Sequence, residues 1–201
     1  MPSDAEYNRR LQELDQLPFN YDASDYAQDQ PGWNHDSYRT RLPSESSGLP
    51  TEDGTFARAK NVLIEYRFPD PNRIKGHFDV DGPLMGRTML LEGRLFWLTV
   101  EFGVRVVNVI DETDVDDDGN PITQFGYAYR TLQDHWEIGE ITFLIEKQHN
   151  TGAVDFLIDA YSKPDRIPNV FYRVGFWFLG RRLQKQFANQ CLKRMKILVQ
   201  E

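Results

Sequence analysis

The sequence predicts an α+β fold in which a curved antiparallel sheet of about seven strands wraps a long C-terminal helix. Three observations predict it. From about residue 73 the apolar residues change from a spacing of three and four to a spacing of two, and a series of strand-length runs follows. The connections between the runs are short, which suits antiparallel neighbours and a meander. The last segment, Pro168 to Val199, has helical spacing, and its first turns, "VFYRVGFWFLG", are apolar nearly all round. Such a helix needs burial on several sides, and a sheet curved around it supplies that.

Each element has its own local reason. "SDAEYNRRLQELDQL" opens with a candidate capping box, Ser3 with Glu6, and spaces Tyr7, Leu11 and Leu14 as a short amphipathic helix does. Pro18 to Trp33 is polar and aromatic without a period and reads as an ordered arm. Ser37 to Leu42 alternates as a first strand, and "PSESSGLPTEDG" is a loop. Phe56, Ala59, Leu63 and Tyr66 recur as one face of a helix that the Pro69–Pro71 pair is expected to end. Strands are then expected near 73–80, 87–97, 102–111, 123–131, 136–147 and 153–161. On the last helix Phe176, Leu183, Phe187, Cys191, Met195 and Leu198 gather on one side at about 100° per residue, with Arg182, Lys185, Asn189, Lys193 and Lys196 opposite. Residues 1–34 are thus expected to form a helix and arm packed on a domain of residues 35–201.

Composition narrows the function classes. The 201 residues carry a net charge of −8, which argues against general nucleic-acid binding. The charge is uneven. Arg166 to Glu201 holds eight basic residues and one acid, a local +7, and the remainder holds 15 basic and 30 acidic residues, −15. A basic helix clamped by an acidic body is preferred over a basic binding face. No apolar run is long enough for a membrane span, and the N-terminal stretch has no secretory h-region. A single cysteine, Cys191, allows no internal disulfide, so a cytoplasmic protein is expected. No cofactor motif and no zinc ligand set are present. "DVDDDGN" begins as a calcium loop does, with Asp114, Asp116 and Asp118, but Phe125 stands where a bidentate glutamate belongs, so a solvated turn is expected.

The hairpin "GYAYRTLQDHWEIGEITFLI" carries more polar groups than a hairpin needs. Bulk falls on the odd positions, Phe125, Tyr127 and Tyr129, then Ile141, Phe143 and Ile145, so odd side chains are taken to face inward. A loop of Leu132 to Trp136 would set Thr131 against Glu137, Tyr129 against Gly139 and Tyr127 against Ile141. Gly139 would then leave room beneath Tyr129, and Glu137 would point inward. An inward carboxylate needs donors or a cation. A tyrosine hydroxyl or Arg194, on the apolar side of the last helix, could supply them. Glu140 and Glu146 would be outward and solvated. A satisfied structural network takes precedence for these groups; ligand contact comes second and acid–base chemistry by His135 with Glu137 third.

One strand, a helix, about six antiparallel strands and a long helix is an order that resembles the helix-grip fold of the START and birch-pollen-allergen superfamily. The chain also resembles, from about Phe19 to Met195, an uncharacterised family catalogued as domain of unknown function nineteen-ninety. The segments "FNYD", "TFARAKNVLIEYRF", "VRVVNVIDE", "QFGYAYRTLQDHWEIGEITFLIE", "AYSKP" and "RRLQKQFANQCLKRM" carry the resemblance. Phe125 to Tyr129, Leu132, His135, Glu137, Gly139 and Glu140 match the family's pattern. Arg130 replaces a usual glycine and Asn108 a usual aromatic. By analogy of fold, the resemblance implies a cavity between sheet and C-terminal helix that binds a small apolar or amphipathic, lipid-like molecule. Tyr127, Tyr129, His135, Glu137, Ile141, Phe143 and Arg194 are the candidate ligand-binding residues. Alternatives are a cyclase or hydratase using Glu137, His135 and a tyrosine, and a ligand-free module that meets a protein or a membrane surface through the basic helix.

Overall fold

A computed structural model describes residues 4–26, 31–95, 98–135, 137–164 and 170–201; at 4, 95, 98, 164, 170–181 and 183 it describes the backbone alone. The elements are α1 (Asp4–Asp15), β1 (Asn34–Arg41), α2 (Thr55–Ile64), β2 (Ile74–His77), β3 (Thr88–Leu95), β4 (Leu98–Val115), β5 (Pro121–Thr131), β6 (Glu137–Gln148), β7 (Val154–Pro164) and α3 (Val170–Leu198). The seven strands form one antiparallel sheet in the order β1-β7-β6-β5-β4-β3-β2. Strand, helix, six antiparallel strands and a long helix packed on the sheet make this the helix-grip fold.

α2 buries Phe56, Ala59 and Leu63 of the stripe its spacing predicts, and Val62 beside them. It stops before the two prolines are reached. Tyr66 takes a left-handed conformation at φ 53°, its N–H donates to the Leu63 carbonyl, and the Arg67 N–H donates to Val62. This is a Schellman ending with tyrosine at a position that favours glycine. The cost is offset by burial of the Tyr66 ring, for which Gly76 leaves room: a Cβ at Gly76 would lie 2.7 Å from that ring. β4 runs well beyond the expected 102–111 because its first half pairs with β3 and its second with β5. A bulge between Val106 and Asn108 shifts the inward parity from Val104 and Val106 to Val109.

The core lies between the concave face of the sheet, α2 and the second half of α3. Cys191, Met195 and Val199 are fully buried beside Phe68, Phe143 and Phe156. Phe187 and Leu198 pack on this core, and Arg182, Lys185, Asn189, Lys193 and Lys196 are exposed, as the helical angles require. The side chains of Phe176 and Leu183 lie outside the described set. Among the described residues no acidic clamp holds the helix end. Among the described residues none of Arg182, Lys185, Lys193, Arg194 or Lys196 forms an ion pair. Instead the Arg58 guanidinium donates to the Val199 carbonyl at 2.7 Å, a cation at a helix C-terminus.

α1 lies on the outer face. Tyr7 donates to Glu92 at 2.9 Å, and Leu14 packs over Gly103, where a Cβ would come within 2.6 Å of its side chain. Ser3, the proposed cap, lies outside the described residues. The acidic run at the β4–β5 tip is explained locally. The Asp116 carboxylate accepts the N–H groups of Asp118 at 3.0 Å and Asn120 at 2.8 Å, and these donors hold its pKa below the usual range. Gly119 supplies the left-handed turn at φ 80°.

Candidate functional site: a cavity under the C-terminal helix

Beyond the packed core, the concave face encloses a cavity of about 300 Å³. Leu91, Phe102, Val104, Tyr129, Ile141 and Ile158 form most of its apolar wall, with Phe187 and Ala188 of α3 opposite. His135, Glu137, Ser162 and Gln184 gather at one polar side. Tyr38 and Ala160 also line it, from β1 and β7.

The polar side is built by the end of the β5–β6 hairpin. The expected register is off by two: Tyr129 pairs with Ile141 and Tyr127 with Phe143, and pairing stops at Arg130 with Glu140. The arm takes the missing rungs. Leu132 bridges to Phe19, and the Gln133 N–H donates to Pro18. The Thr131 hydroxyl accepts the Gly139 N–H at 3.1 Å and donates to Asn20 at 2.7 Å, while the Asn20 amide donates to the Glu137 carbonyl at 2.8 Å. A shift of two preserves faces, so the odd residues of both strands still point inward. Gly139 leaves no room beneath Tyr129. A Cβ there would lie 2.3 Å from the Tyr161 carbonyl, so the glycine serves close approach to β7.

Within the wall, Glu137 Oε1 accepts from the Gln184 amide at 2.6 Å, and that amide also donates to Ser162 Oγ at 3.2 Å. The Glu137 N–H donates to His135 Nδ1 at 3.0 Å, which leaves the proton of the neutral ring on Nε2. The His135 ring lies 4.6 Å from that of Phe102. Tyr129 reaches the cavity from below, its hydroxyl 3.5 Å from that of Tyr66. Burial pushes both phenols well above their ordinary pKa, so they act as neutral donors.

Of the sequence candidates, Tyr129, His135, Glu137 and Ile141 line the cavity. Tyr127 and Phe143 do not. Tyr127 is sealed in the core with its hydroxyl on the Leu63 carbonyl at 3.2 Å, and Phe143 packs 4.6 Å from Phe68. Arg194 does not meet Glu137. It donates to the Arg67 carbonyl at 2.9 Å, ten residues beyond Gln184 and thus about 15 Å along the helix. Helical angle fixes a side but not a height. Tyr38, Ile158, Ala160 and the β3–β4 residues were missed, although carrying the inward parity across the sheet would have found most of them.

Glu140 and Glu146 are not merely solvated. Glu140 Oε2 accepts two N–H groups of Arg130, from Nε at 3.0 Å and Nη2 at 2.8 Å, with both side chains less than one-fifth exposed, and the arm rings Phe19 and Tyr21 cover Arg130. Glu146 accepts from Gln124 at 2.9 Å and Arg39 at 3.2 Å. Glu140→Gln is therefore expected to cost about 1 kcal/mol in urea melts, through loss of a charge-assisted pair that solvent screens only in part. An unchanged midpoint would show that the pair contributes nothing.

Among the described residues, no helix is long and apolar enough to cross a membrane. Three solved structures are similar to this chain at low identity. TTHA0849 from Thermus thermophilus is 12% identical with a TM-score of 0.49, over 83% of this chain and 97% of that one. Ara h 8.0201 is 10% identical with a TM-score of 0.48, over 84% and 98%. Norcoclaurine synthase from Thalictrum flavum is 9% identical with a TM-score of 0.45, over 85% and 97%. No curated protein matches the chain in sequence. A family model does match, over residues 20–194: the chain belongs to the family described as Domain of unknown function (DUF1990).

Proposed function

We propose that this protein binds a small apolar or amphipathic molecule, lipid-like in character, in the cavity between sheet and C-terminal helix, and that it does so in the cytoplasm. The cavity itself carries the reading: about 300 Å³ with a wall of aliphatic and aromatic side chains, His135, Glu137, Ser162 and Gln184 grouped in it, and the charged residues Asp36, Asp70, Arg73, Arg94 and Glu140 also lining it. That is the usual composition of a small-molecule site, in which apolar area supplies affinity and the polar groups fix orientation. Glu137 and His135 are both held by neighbours, the carboxylate by Gln184 and the ring by a backbone N–H. Anchored groups of this kind suit orientation of a ligand hydroxyl or amide. The single cysteine, buried and unpaired, supports the cytoplasmic setting.

Native mass spectrometry of protein purified from its own cells is the test. A bound species of a few hundred daltons with lipid-like fragments, released on unfolding, is the expected result. A protein that runs at its bare mass in every preparation and takes up no apolar compound on incubation would refute the reading.

A further inference from the structure

A second recess, about 260 Å³, lies between the α2–β2 connection and α3, framed by Arg67, Pro69, Pro71 and Arg194. Arg67 and Pro71 are exposed, so this recess opens to solvent. Ile74 belongs to the walls of both the recess and the apolar cavity. The cavity itself reaches the surface on the same side: among its described lining residues only Arg73 and Arg94 are exposed, and the Arg94 N–H donates to the Arg73 carbonyl at 2.7 Å. Along this seam α3 presents Gln186, Gln190 and Arg194 at a spacing of four, which places them on one flank. Arg194 Nε holds the Arg67 carbonyl at 2.9 Å, and beside it Cys191, Met195 and Val199 are fully buried. The other end of the seam is weaker. Arg73 Nη1 donates to Gln186 Oε1 at 3.4 Å, longer than the usual range for N–H···O of about 2.7–3.2 Å, and both residues are exposed. Gln190 and Asp70 line the cavity too, and Gln190 makes no side-chain hydrogen bond among the described residues. The strand side is weak as well: β2 has four residues and ends the sheet, so it is paired along one side only.

We infer that this seam is the entry slot of the cavity: a ligand passes from the recess past Ile74, and the Arg73–Gln186 bond is the latch that parts to admit it. Parting one long bond between exposed side chains and moving one residue of a short edge strand costs less than unseating α3 or opening a rung of the central sheet. The opposite flank of α3 is held more firmly, by the Gln184 amide on Glu137 at 2.6 Å. The bound molecule therefore exchanges while the protein stays folded, as the cargo of a carrier does and a group sealed in during folding does not. This inference rests on the cavity reading above and adds the route to it.

Stopped-flow fluorescence with the dye N-phenyl-1-naphthylamine reads the route as rates, separately from affinity. In an Arg73→Cys/Gln186→Cys protein, closing the seam with a cleavable dithio-bismaleimide is expected to slow uptake and release alike, by about tenfold or more, with the equilibrium affinity kept within about twofold. Cutting the linker with a reductant should restore both rates. The two replaced residues are exposed and Cys191 is fully buried, so the fold is kept and the label goes to the slot. Ile74→Ala should speed uptake by about threefold or more. Rates that the intact cross-link leaves unchanged overturn the slot, whatever Ile74→Ala does, and leave the cavity standing. A slowing that persists after the linker is cut also overturns it, since the substitutions alone are then the cause. Absence of any dye binding by the unaltered protein refutes the cavity reading and the slot with it.

Discussion

Lys147→Met is expected to remove about 3–5 kcal/mol of stability, because it strands a carboxylate in the interior. Lys147 sits on an inward position of β6 and is fully buried. Its ammonium donates to Glu45 Oε2 at 2.6 Å and to the Leu49 carbonyl at 3.0 Å. The other oxygen of Glu45 accepts the Phe56 N–H at 2.5 Å. That contact caps α2, whose own cap position is Gly54 and offers no side chain. One ion pair thus joins the loop after β1 to the sheet and satisfies a helix terminus. Glu45→Gln should also be costly, since it leaves a buried ammonium facing an amide. The double replacement should lose less than the sum, because no charge is then left inside. Urea melts of the four proteins give the coupling. Single losses below about 1 kcal/mol that add independently would mean the pair is not buried as described.

Phe68→Ala should cost about 3–5 kcal/mol, the range for emptying a large aromatic site in a packed core. Phe68 follows the Schellman ending of α2 and is fully buried. Its ring lies 4.6 Å from Phe143, 5.8 Å from Phe156 and 5.1 Å from Tyr66. Its ring seats the α2–β2 connection on Phe143 and Phe156 of the sheet. Phe187→Ala should cost less, since Phe187 is only partly buried and already borders empty space. Thermal or urea unfolding orders the two; a larger loss at Phe187 would place the centre of the core at the helix rather than at Phe68.

The fold was legible in the sequence because period and apolar side are local properties. Alternation of bulk on β5 and β6 gave the inward face, and helical angle separated Cys191 and Met195 from Lys193 and Lys196. What was not legible came from partners that only the folded sheet and its actual register bring together. Asn20 and Pro18 take the rungs that would have closed the hairpin, so the register moved by two. Glu140 and Glu146 looked solvated because the residues that bind them, Arg130 beneath the arm and Arg39 on β1, become neighbours only once the sheet is formed. The end of α2 depends on a tyrosine in a glycine conformation, held by tertiary burial against its local preference. In the candidate site, Tyr129, His135, Glu137 and Ile141 followed from parity, whereas Gln184, the partner of Glu137, depends on how far along α3 the sheet ends.

Uptake of an apolar molecule by the cavity is measurable by fluorescence titration with the neutral dye N-phenyl-1-naphthylamine. Ala160 lines the cavity opposite Ile141 on the paired strand, so Ala160→Phe should fill it, whereas Lys185 is exposed on the far side of α3. Saturable binding at one site per chain is expected, weakened about tenfold or more by Ala160→Phe and untouched by Lys185→Gln. No saturable binding, or wild-type binding by an Ala160→Phe protein that melts cooperatively, would contradict it.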